Sequence, residues 1–163
     1  MSKAYLVTSK IVLVKEKGAL YDINKTIGNQ EDAYNAIKTV TGIQQEAQEV
    51  FGIICLNNKN SILSICEISR GSVDATIVHP REIFKAALLY NAMSIILFHN
   101  HPSGSPTPST VDINTTKRCV DAGNILGINV LDHIIIGDDC YTSLKYICPS
   151  IFKNNKEVTK CYN

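Results

Sequence analysis

The sequence lacks an excess of charge of one sign, a long apolar run and paired-cysteine spacings, and each absence removes a class of function. Sixteen Lys and Arg stand against fifteen Asp and Glu, a net charge of +1. There is thus no global basic footprint of the kind that drives phosphate binding. No stretch approaches the roughly 20 apolar residues that a membrane span requires, and the opening MSKAYLVTSKIVLVKEKG interrupts its apolar runs with lysines, unlike a secretory leader. Cysteines 55, 66, 119, 140, 148 and 161 show no C-x-x-C spacing, and two of them sit in apolar strand-like runs. That usage suits reduced thiols better than a disulfide framework. A cytoplasmic protein without membrane association is expected. Internal repeats, low-complexity segments and interdomain linkers are also missing. A chain of 163 residues fits one domain that buries roughly 70% of the surface its unfolded form exposes.

What is present is an alternation of strand and helix patterns. SKIVLVKEK predicts a strand near residues 9–15, and QEDAYNAIKTV, apolar at 33, 36, 37 and 40, predicts a helix near 30–40. VFGIICL and SILSICEIS are strand-like runs joined by NNKN, an Asn-rich hairpin loop. Pro80 opens a helical stripe that ends near Asn91, and the apolar run SIILF predicts a buried strand over 94–98. A further helix is bounded by Ser109 as N-cap and Gly127 as stop, and NVLDHIIIG is a strand ending at Gly137. CYTSLKYI adds a short edge strand, and the remaining tail is polar and aperiodic. Helices between strands imply an α/β domain, with a hairpin over 49–69 and a strand–helix–strand crossover over 94–136 producing a mixed sheet. Three segments are expected: a strand and helix appended over 1–43, the domain proper over 44–147, and a tail over 148–163.

The chemistry concentrates in HNHPSGSPTPSTVD, residues 99–112. On a strand, residues two apart project to the same side, so His99 and His101 point together while Asn100 faces away. The Pro- and Gly-rich connection can fold back so that the first turn of the next helix brings the Asp112 carboxylate beside them. Two imidazoles and a carboxylate suit zinc better than a hard cation, and three protein ligands leave a fourth position for water, which is catalytic stoichiometry. Zinc lowers the pKa of bound water to about 7, and hydrolysis also needs a carboxylate to shuttle the proton. Composition leaves Glu46, Glu49, Glu67 and Glu82 all open for that role. Ser109-Thr-Val-Asp112 has the form of a capping box as well, a structural use that suits Ser109 more readily than a ligating Asp112.

With these residues in view, the sequence resembles the RadC-type branch of the JAMM (MPN+) metalloprotease superfamily over about residues 44–147. The motif glutamate is matched by Glu49 in QEVFGIICL, the His-x-His-Pro element by His99, His101 and Pro102, and the Ser-x-x-Asp element by Ser109 and Asp112. Asn100, SRGSVDATIVHPRE and VLDHIIIG are similar to the RadC branch. The resemblance implies a cytidine-deaminase-like three-layer α/β/α fold and one zinc ion per chain held by His99, His101 and Asp112. It further implies Glu49 as general acid/base acting through the zinc-bound water, and Ser109 steadying the oxyanion. The expected activity is hydrolysis of a peptide or isopeptide-like amide in an unidentified peptide or protein substrate. Two alternatives stand beside it: a DNA-repair-associated accessory protein, with zinc structural or acting on nucleic acid, and a non-catalytic binding scaffold. The balanced charge predicts no useful DNA affinity for the isolated chain, whose basic clusters, Lys10, Lys15 and Lys17 and then Lys153, Lys156 and Lys160, are small.

Three further groups of residues raise other uses. His133, beside Asp132 in an apolar strand, reads first as a core histidine with satisfied hydrogen bonds and second as a partner behind a metal ligand or a substrate contact. Arg70 and Arg81, near His79, could bind a substrate carboxylate or phosphate, or form ordinary ion pairs. Cys140, Cys148 and Cys161 with His133 match no known metal-site spacing.

Overall fold

Two apolar stretches pair first. Glu49–Leu56 (β1) and Ile62–Gly71 (β2) form an antiparallel hairpin, turned by Asn57, whose side-chain oxygen accepts from Lys59 N and Ser61 N, and by Asn60 at φ 56. The computed structural model describes residues 18–71 and 78–153. The strand expected near 9–15 therefore lies outside the described residues, as do Lys10, Lys15, Lys17, Lys156, Lys160 and Cys161. Ser94–Asn100 (β3) runs antiparallel to β1, Asn129–Ile136 (β4) parallel to β3, and Tyr141–Ser143 (β5) antiparallel to β4. The sheet is mixed, in the order β2-β1-β3-β4-β5.

Helices cover both faces. Pro80–Leu89 (α2) and Thr110–Leu126 (α3) bury Ile83, Phe84, Ala87, Cys119 and Val120 against Phe51, Ile53, Ile95 and Leu97. Gln30–Thr41 (α1) buries Ala33, Tyr34, Ala36 and Ile37 against Val50, Ile54, Ile96, Phe98 and Ile134 on the opposite face. The result is a three-layer α/β/α arrangement in which α1 is one layer of the core. Every residue of β3 is buried, which is why that strand reads as a continuous apolar run rather than an alternation. At Gly52 a Cβ would lie 2.3 Å from the Phe98 ring, so glycine is what lets that ring lie over β1.

Two elements depart from expectation. β3 runs on to Asn100 instead of stopping at residue 98, because His99 pairs with Phe51 and Asn100 with Ile136. The expected edge strand CYTSLKYI keeps only three strand residues; Ser143 then caps a helical turn, Leu144–Ile147 (α4), by accepting from Tyr146 N.

The β3–β4 register contains a bulge: Ile95 faces Val130, but Ile96 faces Asp132. One extra residue reverses the alternation. Val130 packs on the α2/α3 face, while Ile134 and Ile136 pack on the α1 face, and His133 falls on the α2/α3 side. Among the described residues, no helix is long and apolar enough to cross a membrane.

Candidate metal centre

His99, at the end of β3, is completely buried. His101 lies one residue beyond the strand, held by its N–H to Ile136 O at 2.9 Å. Asp112 is the third residue of α3. Their side chains converge: His99 Nε2 is 2.9 Å from His101 Nε2 and 3.2 Å from Asp112 Oδ1, and His101 Nε2 is 3.5 Å from Asp112 Oδ2. A tetrahedral ion with bonds of about 2.0–2.1 Å needs ligand atoms about 3.3–3.4 Å apart. The three separations bracket that value, and two imidazole nitrogens with one carboxylate oxygen are zinc-type donors, so these residues could hold such an ion.

Each side chain is set by a partner outside the cluster. Ser109 caps α3 by accepting from Asp112 N, and the Asp112 carboxylate answers by accepting from Ser109 N and Ser109 Oγ, both at 2.7 Å through Oδ2. The capping box thus orients the carboxylate and leaves Oδ1 facing His99, so capping by Asp112 leaves an oxygen that could also hold an ion. His101 Nδ1 lies 2.7 Å from Ser105 O, and that loop is pinned to the end of β4 by Asp138 N donating to Gly104 O. Gly104 stands at φ 80, and a Cβ on Gly137 would sit 2.2 Å from Gly104 O. Both glycines are therefore required for the loop to close. His99 Nδ1 lies 2.8 Å from Nε2 of the fully buried His133.

Asn100 does face away from the histidines, and it is not idle. Its side-chain oxygen accepts from Val50 N at 2.7 Å, and its amide nitrogen donates to Glu46 O and Gln48 O. It staples the backbone on either side of Glu49. With Phe51 facing His99 across the β1–β3 pair, Glu49, two residues earlier, shares that strand face.

The charges reinforce one another. Burial raises the Asp112 carboxyl, but the His101 and His99 imidazoles and the Ser109 hydroxyl outweigh it, holding the group well below the usual carboxylate range. His101 is raised above the ordinary histidine value, chiefly by the Asp112 carboxylate, then by the Ser105 carbonyl, with Glu49 adding. Burial, then the neighbouring His99, pushes His133 well down.

Of the four glutamates left open by the sequence, Glu46 and Glu67 pair with Arg70, and Glu82 pairs with Lys85 and Arg81. Glu49 is the one whose charge acts on His101. Arg70 is engaged by carboxylates on both sides rather than aimed at the histidines, and His79 is the backbone N-cap of α2. His133 directs both ring nitrogens to His99 and Thr116, so it takes no part in a cysteine site. Thr116 belongs to no sequence motif; its only signal is a position four residues after Asp112, on the same helical face. A cavity of about 630 Å³ lined by Gly28, Asn29, Tyr141 and Lys145 lies on the α1 side of the sheet, away from this cluster.

Residues 27–147 match the RadC-like JAB domain family. The UPF0758 protein TTE0897 of Caldanaerobacter subterraneus subsp. tengcongensis is 52% identical over 122 residues, covering 75% of this chain and 52% of that protein. A UPF0758 protein of Alkaliphilus oremlandii is 57% identical over 98 residues, 60% of this chain and 42% of that one. The UPF0758 protein Mbar_A2303 of Methanosarcina barkeri is 52% identical over 103 residues, 63% of this chain and 45% of that one. The chain spans about half the length of the curated relatives it matches.

Proposed function

The chain belongs to the RadC-like JAB domain family, and from that premise we propose that it is a zinc-dependent hydrolase of peptide or isopeptide-like amides. The observation that carries the reading is the convergence of His99 Nε2, His101 Nε2 and the Asp112 carboxylate to within 2.9–3.5 Å of one another, on the sheet face that Glu49 shares. When bound, zinc would supply a Lewis acid and a water acidified to a pKa of about 7.

The chain's own residues would do the rest. Glu49 is half-buried at the first position of β1, its flanking backbone fixed by Asn100. Its carboxylate would take a proton and return it to the leaving nitrogen. The Ser109 hydroxyl donates to Asp112 Oδ2, so it would have to swing off that carboxylate to donate to a developing oxyanion. The apolar packing of Phe51 beside His99 and His133 keeps water from the rear of the site.

The test is elemental analysis of metal-replete protein together with a broad amide-substrate screen on wild type, Glu49→Gln and His99→Ala. One zinc per chain is expected in wild type and in Glu49→Gln, hydrolysis in wild type alone, and no zinc in His99→Ala. Wild type without zinc, or Glu49→Gln retaining turnover, would overturn the reading.

A further inference from the structure

Behind His99 a line of fully buried side chains leads away from the candidate site and back to it. His99 Nδ1 lies 2.8 Å from His133 Nε2, His133 Nδ1 lies 2.7 Å from Thr116 Oγ1, and Thr116 Oγ1 donates to the backbone oxygen of Asp112 at 2.6 Å. His99, Thr116 and His133 are each 0% exposed, so solvent does not compete for these contacts. The line starts at one member of the metal cluster and ends on the backbone of another.

The last atom dictates every proton. A carbonyl oxygen only accepts, so the single hydroxyl proton of Thr116 points at Asp112 O. Thr116 Oγ1 must then accept from His133, which places the His133 proton on Nδ1 and leaves Nε2 as an acceptor. His99 accordingly carries its proton on Nδ1. What remains at His99 Nε2 is a lone pair that His101 Nε2, 2.9 Å away, can donate to, while the 3.2 Å approach of Asp112 Oδ1 then sets two acceptors side by side, a contact that a cation between them relieves. Run the other way, the line would leave two oxygens 2.6 Å apart with no proton between them, and it would put a proton where a metal must bind.

We propose that His133 and Thr116 are positioning residues which hold His99 in its Nδ1–H tautomer and so make its Nε2 a metal ligand, locking β3 to α3 at the same time. The proposal rests on reading the cluster as a metal centre. The sheet supplies the arrangement through the bulge in β4. Alternation from Val130, which packs on the α2/α3 side, would aim Asp132 at His99, and the extra residue aims His133 there instead. A histidine needed only to fill the core would not require its ring nitrogens to be shared between a ligand-forming imidazole and the helix that carries Asp112.

Three measurements test this on wild type, Thr116→Val and Thr116→Ser: zinc affinity by chelator competition, denaturant unfolding of the metal-free proteins, and imidazole nitrogen NMR of metal-free wild type. The expected results are a His99 proton on Nδ1 and zinc affinity about 10-fold weaker in Thr116→Val, the low end of the effect of losing a metal-bound histidine's outer partner, because Thr116 acts on His99 only through His133. Thr116→Ser, which keeps the hydroxyl, should retain wild-type affinity. A His99 proton on Nε2, or Thr116→Ser losing as much affinity as Thr116→Val, overturns the proposal. Unchanged affinity in Thr116→Val beside a zinc-binding wild type sinks this inference alone, whereas a wild type that takes up no zinc sinks the metal reading and this inference with it. The NMR measurement needs no variant, so it decides the tautomer even if Thr116→Val does not fold.

Discussion

Ser109 has two uses that one substitution can separate. Its hydroxyl caps α3 and holds Asp112 Oδ2, and in the proposed reaction it would also donate to the oxyanion. Ser109→Ala should cost about 1 kcal/mol of stability through the lost cap and, in the proposed reaction, about 3 kcal/mol of barrier through the lost donor. Unfolding by urea measures the first and turnover on a verified amide substrate the second. A stability loss with unchanged turnover reduces Ser109 to a cap. Asn100 offers a cleaner case, because it touches none of the three candidate ligands through its side chain. Asn100→Ala strips a buried partner from Val50 N, Glu46 O and Gln48 O. A cost of about 1–3 kcal/mol is expected for the buried Val50 N, and less for the two part-buried carbonyls, which water can reach. Zinc content should persist while hydrolysis falls, since the slackened backbone carries Glu49 and no ligand. Loss of zinc in that variant would show that the β1 entrance and the ligand cluster form a single structural unit.

At the scale of elements, the loop between β3 and α3 is held to β4 by glycines as much as by hydrogen bonds. Gly137→Ala would drive a methyl group into Gly104 O. Overpacking of this kind costs about 1–3 kcal/mol, and relief by moving the loop would carry Ser105 O away from His101 Nδ1. Weaker zinc binding by a folded Gly137→Ala protein is the expected outcome, measured by chelator competition; full affinity would mean that His101 is placed by its strand alone. The capping boxes show the same coupling of local and distant roles. In α1, Asn29 and Asp32 cap each other at the helix start, a purely local device. In α3 the same motif orients a carboxylate approached by His99 of β3 and by His101 just beyond that strand.

For the whole molecule, a metal that binds the folded state and not the unfolded one adds stability by mass action, about 2.7 kcal/mol at a free concentration one hundred times its dissociation constant. Chelation should therefore lower the melting temperature, and zinc should restore it in wild type but not in His99→Ala. A melting temperature indifferent to chelator in zinc-loaded protein would contradict a shared His–His–Asp site. Electrostatics at this scale argue against DNA as a partner of the isolated chain, because sixteen basic and fifteen acidic residues leave little net charge to release counterions. Fluorescence anisotropy with single-stranded, duplex and branched DNA at physiological salt should give no sub-micromolar binding. Tight binding that weakens steeply with salt would move the DNA-associated alternative ahead of amide hydrolysis.

Sequence alone determined the features that depend on near neighbours. The buried strand 94–98, the helix between Ser109 and Gly127, the Asn-rich hairpin and the pairing of His99 with His101 on one side follow from periods of 2 and 3.6, from caps and from turn chemistry. Tertiary structure decided what depends on register between strands distant in the chain. The sequence of β4 does not say that an extra residue lies opposite Ile96, because bulges are set by how one strand pairs with another. Yet that bulge converts His133 from one apolar-strand histidine among many possible uses into the residue behind His99. The preference for Glu49 over Glu46, Glu67 and Glu82 in the proposed reaction is likewise spatial. Arg70 occupies two of the alternatives, Lys85 and Arg81 occupy the third, and only the β1–β3 register sets Glu49 on the face of the histidines. Neighbour spacing is written in the chain, whereas cross-strand register is the outcome of packing both sheet faces at once, and the site is assembled across that register.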